Sequence, residues 1–262
     1  MSKTTHNANF RANKALGQHF LVSQKAIRTI AEAIPVGESA IEIGPGPGAI
    51  TTSVLDRVSQ LTIIEKDDRF AEFWQEKTSE YANLKVAHGD VMEVLSDVVQ
   101  AEQPQWIVGN LPYNISGPLT ALLASFSLSG GMVLMYQKEV GQRITADAGT
   151  KIYGGLSVLV RHYYKPKKLI TLPPGAFNPP PKVHSMVIQL LPHGNTPKCS
   201  YEALQKTVRQ GFAHRRKTIY NQFRGQLTQE DYLSIGIEPK KRPEQLVYDD
   251  WVKITLLLYR AS

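Results

Sequence analysis

The sequence predicts an α/β fold in which an open parallel β-sheet carries helices on both faces and is followed by a small all-α domain. Through the first two thirds of the 262-residue chain, short apolar runs alternate with amphipathic stretches, which is the order of βαβ units. After the segment at residues 192–197, which begins and ends with proline, only helical periodicity remains. We therefore predict one domain over residues 1–194 and a helical domain over residues 195–262.

Short, uninterrupted apolar runs are predicted to be buried parallel strands, because a strand covered by helices on both faces is apolar throughout. These runs lie at residues 40–43, 61–64, 84–87, 106–108 and 132–135. The stretches between them that read as helices include residues 51–58, 69–81 and 118–126.

The two ends of this first domain carry further predicted elements. Ser23 is predicted to cap a helix over residues 26–34, whose apolar residues recur at helical spacing. Two last strands, at residues 168–172 and 183–191, flank a loop that is rich in proline. Because such a loop is stiff, we expect it to display the ring of Phe177 rather than bury it.

The composition is that of an ordinary globular protein, with 20% charged and 42% hydrophobic residues. The single cysteine, Cys199, excludes a disulfide framework and a CxxC metal site, so no metal is expected. The N-terminal stretch, residues 1–13, is polar, and no apolar run approaches the roughly 18 residues of a membrane span. We therefore expect a cytoplasmic protein.

The positive charge of the chain is unevenly distributed. The formal charge is +7, and no acidic residue occurs between Asp147 and Glu202, a stretch that contains several lysines. Two further basic clusters lie at residues 215–217 and 240–242. Solvated surface lysines account for part of this charge, and the alternative is a polyanionic partner whose phosphates the basic side chains neutralise.

Polar and flexible residues follow three of the predicted strands. The first strand runs into a turn that contains Gly44 and Gly46, which allow a tight turn and close approach of a ligand. Glu65 ends the second strand and can accept both hydroxyls of a ribose. Asp90 follows the third and can accept from an adenine amine or cap a helix. These residues predict an adenosine site, without distinguishing a nicotinamide cofactor from S-adenosylmethionine.

The tetrapeptide after the fourth strand makes that distinction. It reads Asn110-Leu111-Pro112-Tyr113. The amide and a backbone carbonyl can accept the hydrogens of a base amine, and the aromatic ring can stack on the base. A hydride-transfer enzyme has no evident use for this group, whereas an enzyme that methylates a nucleobase amine has.

Together with further motifs, these residues resemble the small-subunit ribosomal RNA adenine N6,N6-dimethyltransferases, the family of the kasugamycin-resistance methyltransferase. The resemblance covers nearly the whole length. The further motifs are Leu16-Gly17-Gln18-His19-Phe20-Leu21, Gln137-Lys138-Glu139-Val140, Tyr153-Gly154-Gly155-Leu156-Ser157-Val158, Phe177-Asn178-Pro179-Pro180-Pro181-Lys182-Val183 and His214-Arg215-Arg216-Lys217-Thr218. It implies a Rossmann-like class I methyltransferase sheet and S-adenosylmethionine as methyl donor.

The resemblance also implies contacts with that donor. His19 and Leu21 would close over it, while Gly44 and Gly46 would lie against its methionine portion. Family members often carry Asn in place of His19, so this contact is expected to be pH-sensitive here. By the same resemblance, Glu65 would hold the ribose hydroxyls and Asp90 the adenine amine. Asn110 would touch both donor and substrate.

The expected reaction is direct methyl transfer to N6 of an adenine that has left its stack. Hydrogen bonds from N6–H to the Asn110 side chain and the Leu111 carbonyl would localise the nitrogen lone pair. Tyr113 and Phe177 are expected to sandwich the base. No general base is assigned, because the alkylated nitrogen is acidic enough to lose its proton afterwards.

The expected partner is small-subunit rRNA, within the 30S subunit or its precursor, bound by a monomer. Side chains of the helical domain are expected to contact RNA phosphates, and the near-heptad spacing of three of them predicts a shared helical face. They are Arg209, Arg215, Arg216, Lys217 and Arg224.

The resemblance implies two adjacent adenosines near the 3′ end of the rRNA as targets. The alternatives are a large-subunit rRNA dimethyltransferase of the macrolide-resistance type and a non-catalytic assembly factor, with a nicotinamide dehydrogenase least favoured.

Overall fold

A computed structural model describes residue 12 and residues 18–214 and 216–259, and its contacts divide the chain into two compact units. Unit 1 comprises residues 1–116, 128–141 and 167–190, and unit 2 comprises residues 117–127, 142–166 and 191–262. The last division falls next to the predicted boundary. Unit 2 nevertheless also contains two segments from earlier in the chain, whereas the prediction places a single domain boundary. The two-domain assignment at residues 194 and 195 stays a prediction.

The strands form a two-stranded ribbon and a seven-stranded sheet. Their bounds are β1 Phe20–Leu21, β2 Ser39–Ile43, β3 Gln60–Glu65, β4 Leu84–His88, β5 Trp106–Asn110, β6 Gly131–Gln137, β7 Tyr164–Leu172, β8 Phe177–Asn178 and β9 Ser185–Pro192. The ribbon is β1–β8, and the sheet has the order β4-β3-β2-β5-β6-β9-β7. The strands predicted from apolar runs are thereby confirmed, and the order is that of a Rossmann-like sheet.

The first five sheet strands are parallel, as predicted. Pairings β2–β3, β3–β4, β2–β5 and β5–β6 are all parallel, whereas β6–β9 is antiparallel. In this register Ile43 of β2 lies beside Ile64 and Gly109, and Glu65 lies beside His88. The carboxyl ends of β2, β3, β4 and β5 therefore meet at one edge, where open α/β sheets bind their ligands.

Helices connect and follow these strands. Their bounds are α1 Gln24–Glu32, α2 Thr51–Leu55, α3 Asp68–Lys77, α4 Val91–Glu102, α5 Ser116–Leu123, α6 Lys138–Thr145, α7 Gly155–Val160, α8 Tyr201–Gly211, α9 Ile219–Gln222, α10 Gln229–Ser234 and α11 Tyr248–Tyr259. Ser23 caps α1 as predicted, because its side chain accepts from the backbone N–H of Ala26. No helix of the described residues is both long and apolar enough to cross a membrane.

Each unit buries its own apolar side chains. In unit 1 the apolar face of α1, with Ala26, Ile27 and Ile30, packs into a core shared with strand residues such as Val108. After β9, every element of the described residues is helical, as predicted. In that part of unit 2 Trp251 stacks on Phe212 at 5.1 Å between ring centroids. A Cβ atom on Gly211 would lie 2.4 Å from the Trp251 ring, so only glycine fits there.

Candidate active site

A cavity lies at the carboxyl edge of the sheet, within unit 1. Its wall contains the turn after β2, the ends of β3 and β5, the start of α4 and the segment around β1. Most of the side chains and glycines predicted to bind donor or base line it, namely His19, Leu21, Gly44, Gly46, Glu65, Asp90, Asn110, Leu111 and Tyr113. The fold therefore brings these residues together, and their individual roles stay predictions.

The glycine turn is tight because its backbone adopts conformations that other residues avoid. Gly46 has φ +53° and Gly48 has φ +93°. A Cβ atom on Gly48 would lie 2.4 Å from the ring of Trp74, whose Nε1 donates to the carbonyl of Gly46 at 2.8 Å. The indole thus holds the turn in place and leaves the other side of its backbone facing the cavity.

Glu65 is held rigidly by backbone donors. One carboxylate oxygen accepts from the N–H of Gly46 at 3.1 Å, and the other accepts from Lys66 and Asp67 at 2.9 and 2.8 Å. The side chain is buried, and burial raises its pKa while these three N–H groups oppose the shift. Each carboxylate oxygen has further lone pairs, so the group can still accept from hydroxyls in the cavity.

Asp90 is the N-cap of α4, which was one of the two alternatives for this residue. Its Oδ1 accepts from the N–H of Met92 at 2.9 Å. Its Oδ2 pairs with Nζ of Lys66 at 2.6 Å, and this hydrogen bond lowers the pKa of the carboxyl. Lys66 also lines the cavity and was not predicted as a site residue. An adenine amine would have to share the Asp90 carboxylate with the lysine.

Asn110 presents an unpaired acceptor. Its Nδ2 donates to the backbone carbonyl of His19 at 3.1 Å. Its Oδ1 is buried and has no hydrogen-bond partner among the described residues. Because a buried acceptor without a partner is costly, such an atom at a cavity wall is suited to a donor group of a ligand.

Tyr113 is held at its hydroxyl and contacts His19 with its ring. Its hydroxyl shares a hydrogen bond of 2.7 Å with Oγ of the buried Ser185, and burial raises the pKa of the phenol. Its ring stacks loosely on the imidazole of His19, with centroids 6.0 Å apart and planes 25° apart. The His19 ring is held by Nδ1, which lies 2.8 Å from the carbonyl oxygen of Pro179. Tyr113 is therefore a preorganised flat surface beside the Asn110 amide.

The prediction that Phe177 is displayed for stacking is wrong. Its side chain is only 3% exposed and belongs to the core cluster of unit 1. The cause is the ribbon, in which Phe177 pairs with Leu21. Because this strand partner is distant in sequence, the position of the proline-rich loop could not be inferred from the loop itself. The ring does not line the cavity.

Glu42 was not predicted to have a role, although it lines the cavity. It is 1% exposed, and burial, helped by the nearby Glu65, raises its pKa to about 8. The hydroxyl of Thr51 acts in the opposite direction, but Oε2 of Glu42 forms no hydrogen bond of standard geometry among the described residues. The sequence signal was a carboxylate inside an apolar strand, directly before the glycine turn.

The basic residues predicted to bind RNA lie in unit 2 and are exposed where described. Arg209 is in the last turn of α8, Arg216 and Lys217 lie in the turn before α9, and Arg224 follows α9. Arg215 lies outside the described residues. The predicted shared helical face is wrong, because α8 ends at Gly211, packed on Trp251, and the next helix starts at Ile219.

The chain is similar to proteins of one family along most of its length. A family profile described as "Ribosomal RNA adenine dimethylase" matches residues 9–259. The ribosomal RNA small subunit methyltransferase A of Nitrosococcus oceani is 39% identical over 258 residues, which cover 96% of this chain and 98% of that protein. The protein of the same name from Laribacter hongkongensis is 39% identical over 248 residues, which cover 92% and 94%.

Solved structures share the fold. The crystal structure of a dimethyladenosine transferase from Plasmodium falciparum has a TM-score of 0.79 and 25% identity, and the match covers 93% of this chain and 98% of that one. The crystal structure of the 23S rRNA methyltransferase ErmE has a TM-score of 0.67 at 23% identity, covering 91% and 99%, which is a likeness of fold alone.

Proposed function

The chain belongs to the ribosomal RNA adenine dimethylase family, and on that premise we propose that it methylates N6 of two adjacent adenosines near the 3′ end of small-subunit rRNA during ribosome biogenesis. The family match makes it an rRNA adenine dimethyltransferase. The choice of the small subunit is supported by the names of its relatives at 39% identity. The product of two rounds of transfer is dimethyladenosine.

The cavity fits S-adenosylmethionine, which when bound supplies an electrophilic methyl group. The glycine turn offers backbone without side chains, against which Gly44 and Gly46 would receive the methionine portion. Glu65, oriented by three backbone N–H groups, would accept the ribose hydroxyls. Asp90 would accept the adenine amine beside Lys66, and His19 and Leu21 would cover the donor.

The observation that carries the proposal is the unpaired Oδ1 of Asn110 at the cavity wall. It would accept one N6–H of the target adenine, and the carbonyl of Leu111 would accept the other. Two acceptors at the amine favour a pyramidal nitrogen whose lone pair is free to attack. Positioning and electrostatics supply the acceleration, and no residue of the chain has to act as a strong base.

Tyr113 would receive the target base after it leaves its stack. Unstacking costs a few kcal/mol, and one stacking contact returns about 1–3 kcal/mol. Because Ser185 and His19 already fix the tyrosine, the ring loses little further freedom when a base binds.

The RNA partner is expected to contact unit 2 through its exposed basic side chains. Arg209, Arg216, Lys217 and Arg224, with Arg215 from the sequence prediction, would neutralise phosphates and hold the rRNA without reading its sequence. We propose that a monomer acts on the 30S subunit or its precursor.

Transfer of tritiated methyl groups to small subunits that lack this modification tests the proposal, with nucleoside mass spectrometry of the product. We expect dimethyladenosine from the wild type, near-total loss with Asn110→Ala, and unchanged product with Asn195→Ala, an exposed asparagine in a loop of unit 2. RNA binding by Asn110→Ala should be retained, which separates a lost reaction from a lost fold.

Two outcomes would contradict the proposal. Robust transfer to naked large-subunit RNA, with none to small subunits, would favour the macrolide-resistance type of activity. Binding of small subunits without any transfer would favour an assembly factor. The relatives at 39% identity are named for the small subunit and for methyl transfer, which supports neither alternative.

A further inference from the structure

Residues 18–21 form a short segment, the strap, that lines the cavity and includes strand β1 of the ribbon. It is attached at its two ends. At one end Nε2 of Gln18 donates to Oδ2 of Asp67 at 2.9 Å. At the other, Leu21 pairs with Phe177 in the ribbon, and the following residue, Val22, donates to the carbonyl of Ala176 at 2.8 Å.

Between these attachments the strap contacts the Asn110 amide through the backbone carbonyl of His19. A primary amide has a donor end and an acceptor end of nearly equal size, so its shape does not decide which end faces a ligand. The carbonyl of His19 accepts only, so it selects the NH₂ end. The oxygen end of Asn110 is thereby directed to the cavity.

We propose that the strap is a positioning element for the reaction, and that the Gln18–Asp67 hydrogen bond is the latch that holds the His19 carbonyl against the Asn110 amide. This inference rests on the proposed function and deepens it. It assigns Gln18 and Asp67 a part in orienting the acceptor for N6, whereas a strap that merely covered the methyl donor would affect donor binding instead.

Asp67 is a firm anchor for such a latch. It is buried, caps α3 through Oδ1 and accepts from Nε of Arg69 at 2.9 Å and from an Arg69 terminal nitrogen at 2.6 Å. These bonds fix the carboxylate before the strap reaches it, and the arginine lowers its pKa, so the acceptor is ionised. Hydrogen bonds to an ionised acceptor are about twice as strong as neutral ones.

Gln18→Leu removes the latch and leaves the cap and the arginine contact in place. We expect kcat for methyl transfer to fall about tenfold, while KM for the methyl donor and for the small subunit stays within about twofold, because only the acceptor loses its orientation. The matched control is Gln60→Leu. Gln60 donates to the carbonyl of Asn83 at 2.8 Å at the start of β3, the end of that strand remote from Glu65 and the cavity, and kcat should not change.

A second readout needs no catalysis. The side-chain NH₂ of Asn110, assigned with Asn110→Ala, should exchange its protons faster in Gln18→Leu than in the wild type, measured by nuclear magnetic resonance. Gln18→Glu opposes two carboxylates and should lower kcat at least as much.

Three results would overturn the inference: an unchanged kcat in Gln18→Leu, a rise in KM for the methyl donor that accounts for the whole loss, or unchanged exchange of the Asn110 NH₂. If the wild type transfers no methyl group, the proposed function fails, and the exchange measurement still decides whether the latch orients the amide.

Discussion

The cavity wall and the basic segment of residues 209–224 hold their proposed functional side chains in opposite ways. At the cavity, Glu65 accepts three backbone hydrogen bonds and Asn110 is tied to the His19 carbonyl. In the basic segment, Arg216 and Lys217 project from an exposed turn between two helices. Removing one cavity residue should therefore abolish a step of the reaction, whereas removing one basic residue should only weaken RNA binding, to which several similar contacts contribute.

Asn110→Asp is the most severe way to test the cavity side of this comparison. The change keeps the size of the side chain but turns its donor end into an oxygen that faces the carbonyl of His19. We expect kcat to fall by at least about 10²-fold, the scale seen when one preorganised polar group is lost from an active site. Single-turnover methyl transfer measures it, and Asn195→Asp in the exposed loop is the control. A loss below tenfold would mean that the amide is not needed.

Phe177→Ala tests whether this ring packs in the core of unit 1 or stacks on the target base. Since the ring is buried beside Leu21, we expect the free energy of unfolding to fall by about 3–4 kcal/mol, measured with denaturant. Val183→Ala, an exposed apolar residue of the loop that follows, should change it by less than about 0.5 kcal/mol. Unchanged stability of Phe177→Ala together with lost turnover would restore the stacking role.

Glu42 gives the stability of the cavity wall a dependence on pH. The folded pKa of about 8 lies above the value of 4.5 for an unperturbed glutamate, so the folded protein keeps this proton while the unfolded chain loses it. Stability should therefore decline as pH rises from about 4.5 to about 8, in the absence of ligand.

Replacing the carboxyl removes this decline. Compared with wild type, Glu42→Gln should gain a relative stability on the order of 3 kcal/mol between pH 5 and 8, read from denaturant unfolding at several pH values. Glu230→Gln, at an exposed position in α10, should follow the wild-type curve. Parallel curves for Glu42→Gln and wild type would show that Glu42 titrates normally.

Arg216→Ala should have the smallest effect. We expect the dissociation constant for rRNA to rise about threefold and the slope of log K against log salt to fall by about 1, because one phosphate contact is lost. Arg28→Ala, an exposed arginine on α1 in unit 1, is the control. If Arg216→Ala abolished binding outright, the basic segment would behave like the cavity wall, and the comparison would fail.

The sequence was sufficient to predict which residues line the cavity, because residues at the carboxyl ends of parallel strands lie close together at one edge of the sheet. Residues at or just beyond the ends of β2, β3, β4 and β5 reach one edge whatever the details of packing, so Gly44, Glu65, Asp90 and Asn110 come together. The helical face predicted for Arg209, Arg216 and Arg224 required one unbroken helix. The periodicity contained no sign that Gly211 would pack on Trp251 and end α8.

The amino-acid sequence was enough to predict the order of strands and helices, the sheet edge at which the cavity lies and the residue types that meet there, because these follow from local periodicity and strand-end chemistry. The direction of the Asn110 amide, the burial of Phe177 and the raised pKa of Glu42 became apparent only in the folded chain. Each of these depends on partners or burial supplied by parts of the chain that are distant in sequence: the carbonyl of His19 accepts from the Asn110 amide, and Leu21 pairs with Phe177 in the ribbon. A pattern within one segment carries no record of such contacts, because hydrogen-bond direction and desolvation are properties of the packed chain.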